Sequence, residues 1–202
     1  MLKHWLAGIC FVSLLLVLPT AAEGREVKDY SKTINDFKKI EVVAKFFDGA
    51  HGYAVFPSIG KGGLGIGGSH GKGQVYRGGE VIGFTSTSDI SIGLQAGGQA
   101  YSQIIFFENE EALIRFTGGN FEFDASASAI AVQATAEATA STEGAGASAS
   151  ASKTAEKSAA GAKYQNGMAI FTMAKGGLMY AATIAGQKYT YKPIGQEKGE
   201  EK

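Results

Sequence analysis

Val27, Tyr30, Ile34, Phe37, Ile40, Ala44 and Phe47 recur at steps of three and four residues. That spacing lines up one apolar stripe along a helix. Lys28, Lys32, Asp36, Lys38, Lys39 and Lys45 fall on the opposite face, and Asp48-Gly49 supplies a stop. The stripe Ile34, Phe37, Ile40 and Phe47 has two readings. It packs on a sheet, or it lies in a membrane surface with its lysines toward the headgroups.

From Gly52 the period changes from helical to extended. Tyr53-Ala54-Val55-Phe56 is a short apolar run, and Leu64 and Ile66 alternate with glycines. Gln74-Val75-Tyr76 and Val81-Ile82-Gly83-Phe84 flank Gly78-Gly79, which predicts a hairpin. From Asp89 to Ala100, Ile90, Ile92, Leu94, Ala96 and Ala100 alternate with mostly polar partners, as a half-buried strand does. Ile104-Ile105-Phe106-Phe107 has no polar face and reads as a strand buried on both sides. A short helix near 109–117 follows, with Asn109 as cap, Glu110 and Glu111 at its positive end, and Gly118-Gly119 as stop. The fold expected is α+β: a strongly bent, mainly antiparallel sheet, an N-terminal amphipathic helix and this short helix.

Residues 125–162 are alanine- and serine-rich, and alanine alone would suggest helix. The period is two instead, as in Ala125, Ala127, Ala129 and Ala131. Two small-residue strands around Thr142-Glu143-Gly144 are expected, with a disordered insert over 141–162 as the alternative. The charged tail over 193–202 is expected to fray.

The N-terminus sets the compartment. Lys3, the apolar run Trp5 to Leu18 and the small residues around Thr20-Ala21-Ala22 form a signal peptide over 1–22. Its removal takes away Cys10, the one cysteine, and leaves 18 Lys+Arg against 19 Asp+Glu, a net charge of −1. The expected product is periplasmic or secreted, cannot form disulfides, and lacks the basic footprint of a nucleic-acid binder. His51 and His70 have no ligands at metal spacing, so neither metal nor cofactor is expected.

Two motifs suggest chemistry without the context it needs. Gly67-Gly68-Ser69-His70-Gly71 fits the nucleophile elbow of serine hydrolases, yet a strand rather than a helix follows. Gly63-Leu64-Gly65-Ile66-Gly67-Gly68 fits a dinucleotide loop, again with no helix behind it. A serine hydrolase using Ser69 ranks last among the functions considered.

An internal repeat is more informative. Gly52-Tyr-Ala-Val-Phe, leading to Lys61-Gly-Gly-Leu64, resembles Gly167-Met-Ala-Ile-Phe, leading to Lys175-Gly-Gly-Leu178. Further on, Gly73-Gln74-Val75-Tyr76 answers Gly186-Gln187-Lys188-Tyr189. Each copy is expected to be a hairpin turning at Lys-Gly-Gly. Lys61 and Lys175, at matching turns, are the candidate contacts for a lipid phosphate.

Four stretches resemble a known family: Ala54 to Gly63, Gly67 to Gly73, Ser91-Ile-Gly-Leu-Gln-Ala-Gly-Gly-Gln99, and Phe106 to Phe116, continued by Gly119 to Ser126. They are similar to the SYLF lipid-binding domain, over about residues 33–192. The resemblance implies phosphoinositide and phospholipid binding, as in eukaryotic members, or actin binding, as in fungal ones. Bacterial members are exported. It transfers no functional residue. The expected function is a non-catalytic phospholipid-binding protein of the bacterial cell envelope, with a domain over 26–192. Its partner is then a phospholipid or membrane surface. The alternative is a scaffolding protein that holds an envelope protein at a sheet edge.

Overall fold

A computed structural model describes residues 26–123, 129–132, 161–175 and 186–195. The expected signal peptide, most of the Ala/Ser-rich segment with the two small-residue strands expected around Thr142-Glu143-Gly144, and the tail from 196 onward lie outside the described residues. So do the side chains of 63–66, 90–98 and 131–132.

Two helices stand where the apolar stripe predicts one: α1 (Ser31–Lys38) and α2 (Glu41–Gly49). Ile40 between them is extended, with φ −90° and ψ 109°. The run Ile40-Glu41-Val42-Val43 is β-branched at three of four positions, which weakens helix there. The stripe still faces one way across the break. Phe37 and Val43 are fully buried, and Ile34, Ile40, Phe46 and Phe47 pack around them against the sheet.

The short strands expected between Gly52 and Phe107 merge into two long ones, β1 (Gly52–Arg77) and β2 (Glu80–Phe107). Gly78 and Gly79 join them with φ of 61° and 86°. Both positions need the left-handed region, as a tight hairpin turn with glycine at both places allows. Next come α3 (Glu110–Thr117), β3 (Asn120–Glu122), β4 (Ile130–Val132), β5 (Met168–Lys175) and β6 (Lys188–Pro193). The Asn109 side chain caps α3 by accepting from the Ala112 amide at 3.0 Å.

Among the described residues six strands form one sheet, ordered β3-β6-β2-β5-β4, with β1 also paired to β2. All pairs are antiparallel except β4 with β5. β2 is the spine. Its first half pairs with β6 and its second half with β5, while β1 follows it throughout.

The spine is bent back on itself. A straight strand would put Thr87 and Gln103 about 50 Å apart. Instead Gln103 Nε2 donates at 2.8 Å to the hydroxyl of Tyr189, the cross-strand partner of Thr87. β1 curls with it, through register shifts at Phe56/Ile59, Gly63/Gly65 and Val75/Tyr76. The first shift holds Pro57, which has no N–H to give to the ladder. Its carbonyl is held by the Ser102 hydroxyl at 2.8 Å. Glycine permits the close approach that results. A Cβ on Gly73 would meet the Val55 carbonyl at 2.6 Å, and one on Gly71 would meet Ile59 at 2.6 Å.

The curl gives the sheet two unlike faces. The concave face gathers Phe56, Ile59, Val75, Ile105, Phe107 and Ile170 under Leu113 and Phe116 of α3. The convex face carries Val55, Ile104, Phe106 and Phe171 beneath α1 and α2. As expected, residues 104–107 are buried on both faces.

Lys61-Gly62-Gly63 is not a turn. It lies inside β1, where Lys61, Gly62 and Gly63 pair with Gln99, Gly98 and Gly97. Glycines that suggest a loop in sequence here continue a ladder, and their missing side chains give the bend its room. The repeat itself has a structural counterpart. β1 and the pair β5 and β6 flank opposite edges of the same spine, both antiparallel to it. Ala54 pairs with Ile105 and Ala169 with Phe106, so the copies are offset by one residue and face opposite ways. A half-turn about β2 with a one-residue step relates them.

Candidate functional site

Three places carry polar chemistry. The first is the outer face of α1 and α2. Lys32 and Lys39 bond the two oxygens of Asp36 at 2.8 and 3.0 Å. The Lys32 hydrogen bond, with Lys39 added, holds the Asp36 carboxyl below the usual carboxylate range. Lys38 Nζ sits 5.1 Å over the Phe47 ring. These lysines, with Asn35 and Asp36, line an open cleft of about 690 Å³. Three ammonium groups around one carboxylate leave a positive balance, suited to an anionic surface. The apolar stripe behind them is occupied by the protein's own core: Phe37 is fully buried, and Ile34, Ile40 and Phe47 are half-buried.

The second place is the far end of the curl. Lys61 pairs with Gln99 on one edge of β2, and Lys175 pairs with Ala100 on the other. The spine thus brings the two predicted lysines to neighbouring rows at the same end of the sheet. Alternation directs them to opposite faces. Lys175 is exposed and Lys61 half-buried.

The third place lies on the concave face, and the motif analysis does not assign it a role. Gln103 Nε2 donates to Tyr189 Oη at 2.8 Å, Tyr189 Oη donates to Gln187 Oε1 at 2.6 Å, and Gln187 Nε2 donates to Tyr101 Oη at 2.8 Å. All four residues are buried. Burial pushes the Tyr189 hydroxyl well above the ordinary phenol range and raises that of Tyr101, so both stay neutral donors at neutral pH. Around this chain Ser69 Oγ, Thr85 Oγ1, Thr87 Oγ1, Gln103 Oε1 and Thr172 Oγ1 are buried without a hydrogen-bond partner. One such atom costs about 1–3 kcal/mol. Ser69 and Thr87 still lie near the Tyr101 and Tyr189 hydroxyls, but such atoms are few in folded proteins. They mark a place where polar partners belong. The signal was present in Gly-Gln-x-Tyr, because residues two apart on a strand share a face.

Ser69 lies inside β1, which continues on both sides of it, and not on a strand-to-helix turn. It is buried, while the neighbouring His70 is exposed. No group of three or more His, Cys, Asp or Glu able to hold a metal occurs among the described residues.

The model of a known family, Ysc84, described as Las17-binding protein actin regulator, matches residues 88–192. The chain belongs to the Ysc84 family. The match runs from the middle of the spine to the end of β6, and so takes in Tyr101, Gln103, Thr172, Gln187 and Tyr189. Ysc84 domains, also called SYLF domains, are generally non-catalytic binding domains. No curated protein matches the chain.

Proposed function

We propose that this Ysc84 domain is a non-catalytic phospholipid-binding protein of a bacterial cell envelope, exported by a signal peptide over residues 1–22. Family membership carries the reading, and the lysines on α1 and at the end of the curl support it. Lys61 and Lys175, directed to opposite faces of the sheet, each contact a headgroup phosphate of their own in this proposal. The stripe Ile34, Phe37, Ile40 and Phe47 supplies apolar contact only if α1 and α2 lift from the sheet. The helices are 8 and 9 residues long, too short to persist alone in water, and a membrane interface would stabilise them.

Co-sedimentation with liposomes of phosphatidylglycerol and phosphatidylcholine tests this. Lys61→Glu with Lys175→Glu should weaken binding more than about tenfold at low salt and much less at high salt, since each basic group contributes about 1 kcal/mol before screening. A folded double variant that sediments like the wild type removes these lysines from the site. Wild-type protein that ignores anionic liposomes sinks the phospholipid reading. The second reading is a scaffold for a protein partner, and the family description, which names Las17 binding, favours it. A native mass spectrum from the host separates the two: bound lipid supports the first, a bound protein the second.

A further inference from the structure

We propose that the concave face binds a small uncharged ligand bearing several hydroxyls, of the polyol or sugar class, through Ser69, Thr87, Tyr101, Gln103 and Thr172. The inference does not depend on the phospholipid reading.

These groups form one continuous patch. Gln103 stands opposite Thr172 across β2 and β5, and Thr87 stands opposite Tyr189 across β2 and β6. The Tyr189 and Gln187 bonds tie the two halves of the bent spine together between them. The direction of the hydrogen bonds decides the ligand chemistry. Gln103 gives an amide proton to Tyr189, and the sequence ends with Tyr101 accepting from Gln187. One end therefore offers an unused acceptor, Gln103 Oε1, beside the Thr172 hydroxyl. At the other end the Tyr101 and Ser69 hydroxyls contact each other, and since Tyr101 already accepts from Gln187, one hydroxyl proton of the pair is left to give. A ligand must accept at one end and donate at the other, which hydroxyl groups do and a simple anion or an apolar molecule does not.

Charge points the same way. The buried polar side chains among the described residues are Ser, Thr and Gln, with no lysine, arginine or carboxylate. Asp89 pairs across from Ser69, and its charge raises Tyr101 and Tyr189 further. An anion at that end would face the Asp89 carboxylate. Ser69 and Tyr101 are 6% and 3% exposed while Thr87 and Gln103 are 0%, so the Ser69 end lies nearer the surface.

The test is a titration of the folded protein, with isotope-labelled tyrosine rings, against ribitol, glucose, inorganic phosphate and butanol. Saturable shifts of Tyr101 and Tyr189 with ribitol or glucose, and none with phosphate or butanol, are expected. Thr172→Val, folded by circular dichroism, should bind about tenfold more weakly. If Thr172→Val fails to fold, Ser69→Ala reads the other end of the patch in the same way. No saturable shift in the wild type, or unchanged affinity in the folded variants, overturns the proposal. Slowly exchanging water at the tyrosine hydroxyls that no polyol displaces also overturns it, and makes the patch a hydration site. Wild-type liposome co-sedimentation reports on the phospholipid reading separately, so the two can fail independently.

Discussion

The sequence Gly-Gln-x-Tyr occurs twice, and its two copies make the same local bond in different surroundings. Tyr76 donates to Gln74 at 2.6 Å in β1, and Tyr189 donates to Gln187 at 2.6 Å leading into β6. Strand geometry sets that bond, because residues two apart share a face at a fixed spacing. The tertiary partner then decides its use. Gln74 Nε2 reaches outward to the Lys28 carbonyl at 3.1 Å and fastens the segment before α1. Gln187 Nε2 reaches inward to Tyr101 and joins the two halves of the curl. The half-turn relating the copies sends one to the convex face and the other to the concave face. A duplicated pattern thus serves as a latch in one place and as a polar interior in the other.

The largest expected effect breaks the inward copy. Tyr189→Phe removes a group that accepts from Gln103 and donates to Gln187. Two buried amide groups lose partners, at a cost of about 4 kcal/mol. Tyr76→Phe deprives only Gln74 and should cost about 1.5 kcal/mol. Urea denaturation of both variants checks the ratio, and equal losses would show that the surroundings do not matter.

The glycines that open the two copies sharpen the same comparison. A Cβ on Gly73 meets the Val55 carbonyl at 2.6 Å and the Phe56 ring at 2.7 Å. Backbone must shift, so Gly73→Ala should cost about 2–3 kcal/mol. Gly186 has open space around it but a φ of 77°, and Gly186→Ala should cost about 1 kcal/mol from strain alone. Thermal unfolding separates crowding from strain. The first variant should regain stability when Phe56→Leu is added, and the second should not.

These contrasts show what the sequence can and cannot reveal. The Gly78-Gly79 hairpin and the Asn109 cap are legible because each depends on residues within a few positions. Residues 104–107 are legible because four apolar residues in a row leave no polar face. The length of β1 is not, since the glycines of 60–73 carry no hydrophobic period, and what keeps them extended is the facing ladder of β2. The break at Ile40 falls in a β-branched run that weakens helix without interrupting the apolar period, so the stripe alone does not reveal it. The Lys61-Gly62-Gly63 turn is misread for the same reason as the length of β1, the second Lys-Gly-Gly lies outside the described residues beyond Lys175, and the repeat containing them is legible as similarity. The polar chain through Tyr189 needs the bend of the spine, which joins residues 86 positions apart.

Alkaline pH tests both copies together. Burial, with Tyr53 nearby, pushes Tyr76 up to about 12, and burial raises Tyr189 as well. The folded state holds these protons longer than the unfolded chain, whose tyrosines titrate near 10. The stability they contribute is therefore whole below pH 10 and is lost as the pH rises through about 12. The melting temperature should fall above pH 10, and less steeply in Tyr76→Phe than in the wild type. A Tyr76→Phe profile identical to the wild type would show that Tyr76 is not among the groups responsible.

The smallest effect is expected where the outward copy is cut without disturbing the sheet. Gln74→Met keeps the length of the side chain and removes both of its hydrogen bonds, to Lys28 and to Tyr76. The Lys28 carbonyl is on an exposed residue and Tyr76 is 6% exposed, so water can replace much of what is lost. Global stability should drop by less than about 1 kcal/mol. The segment before α1 should nevertheless open more often, because few other bonds hold it. Tyr30 packs against the convex core, and Asp29 bonds Ser31 beside it. Hydrogen exchange at residues 31–37 should therefore speed up several-fold while the amides of 104–107 keep their protection. In the matching Gln187→Met variant the protection of 104–107 should fall with the rest, because that glutamine joins the two halves of the spine. Uniform acceleration in both variants would mean that the latch and the interior bond do the same work, and the contrast between the copies would be lost.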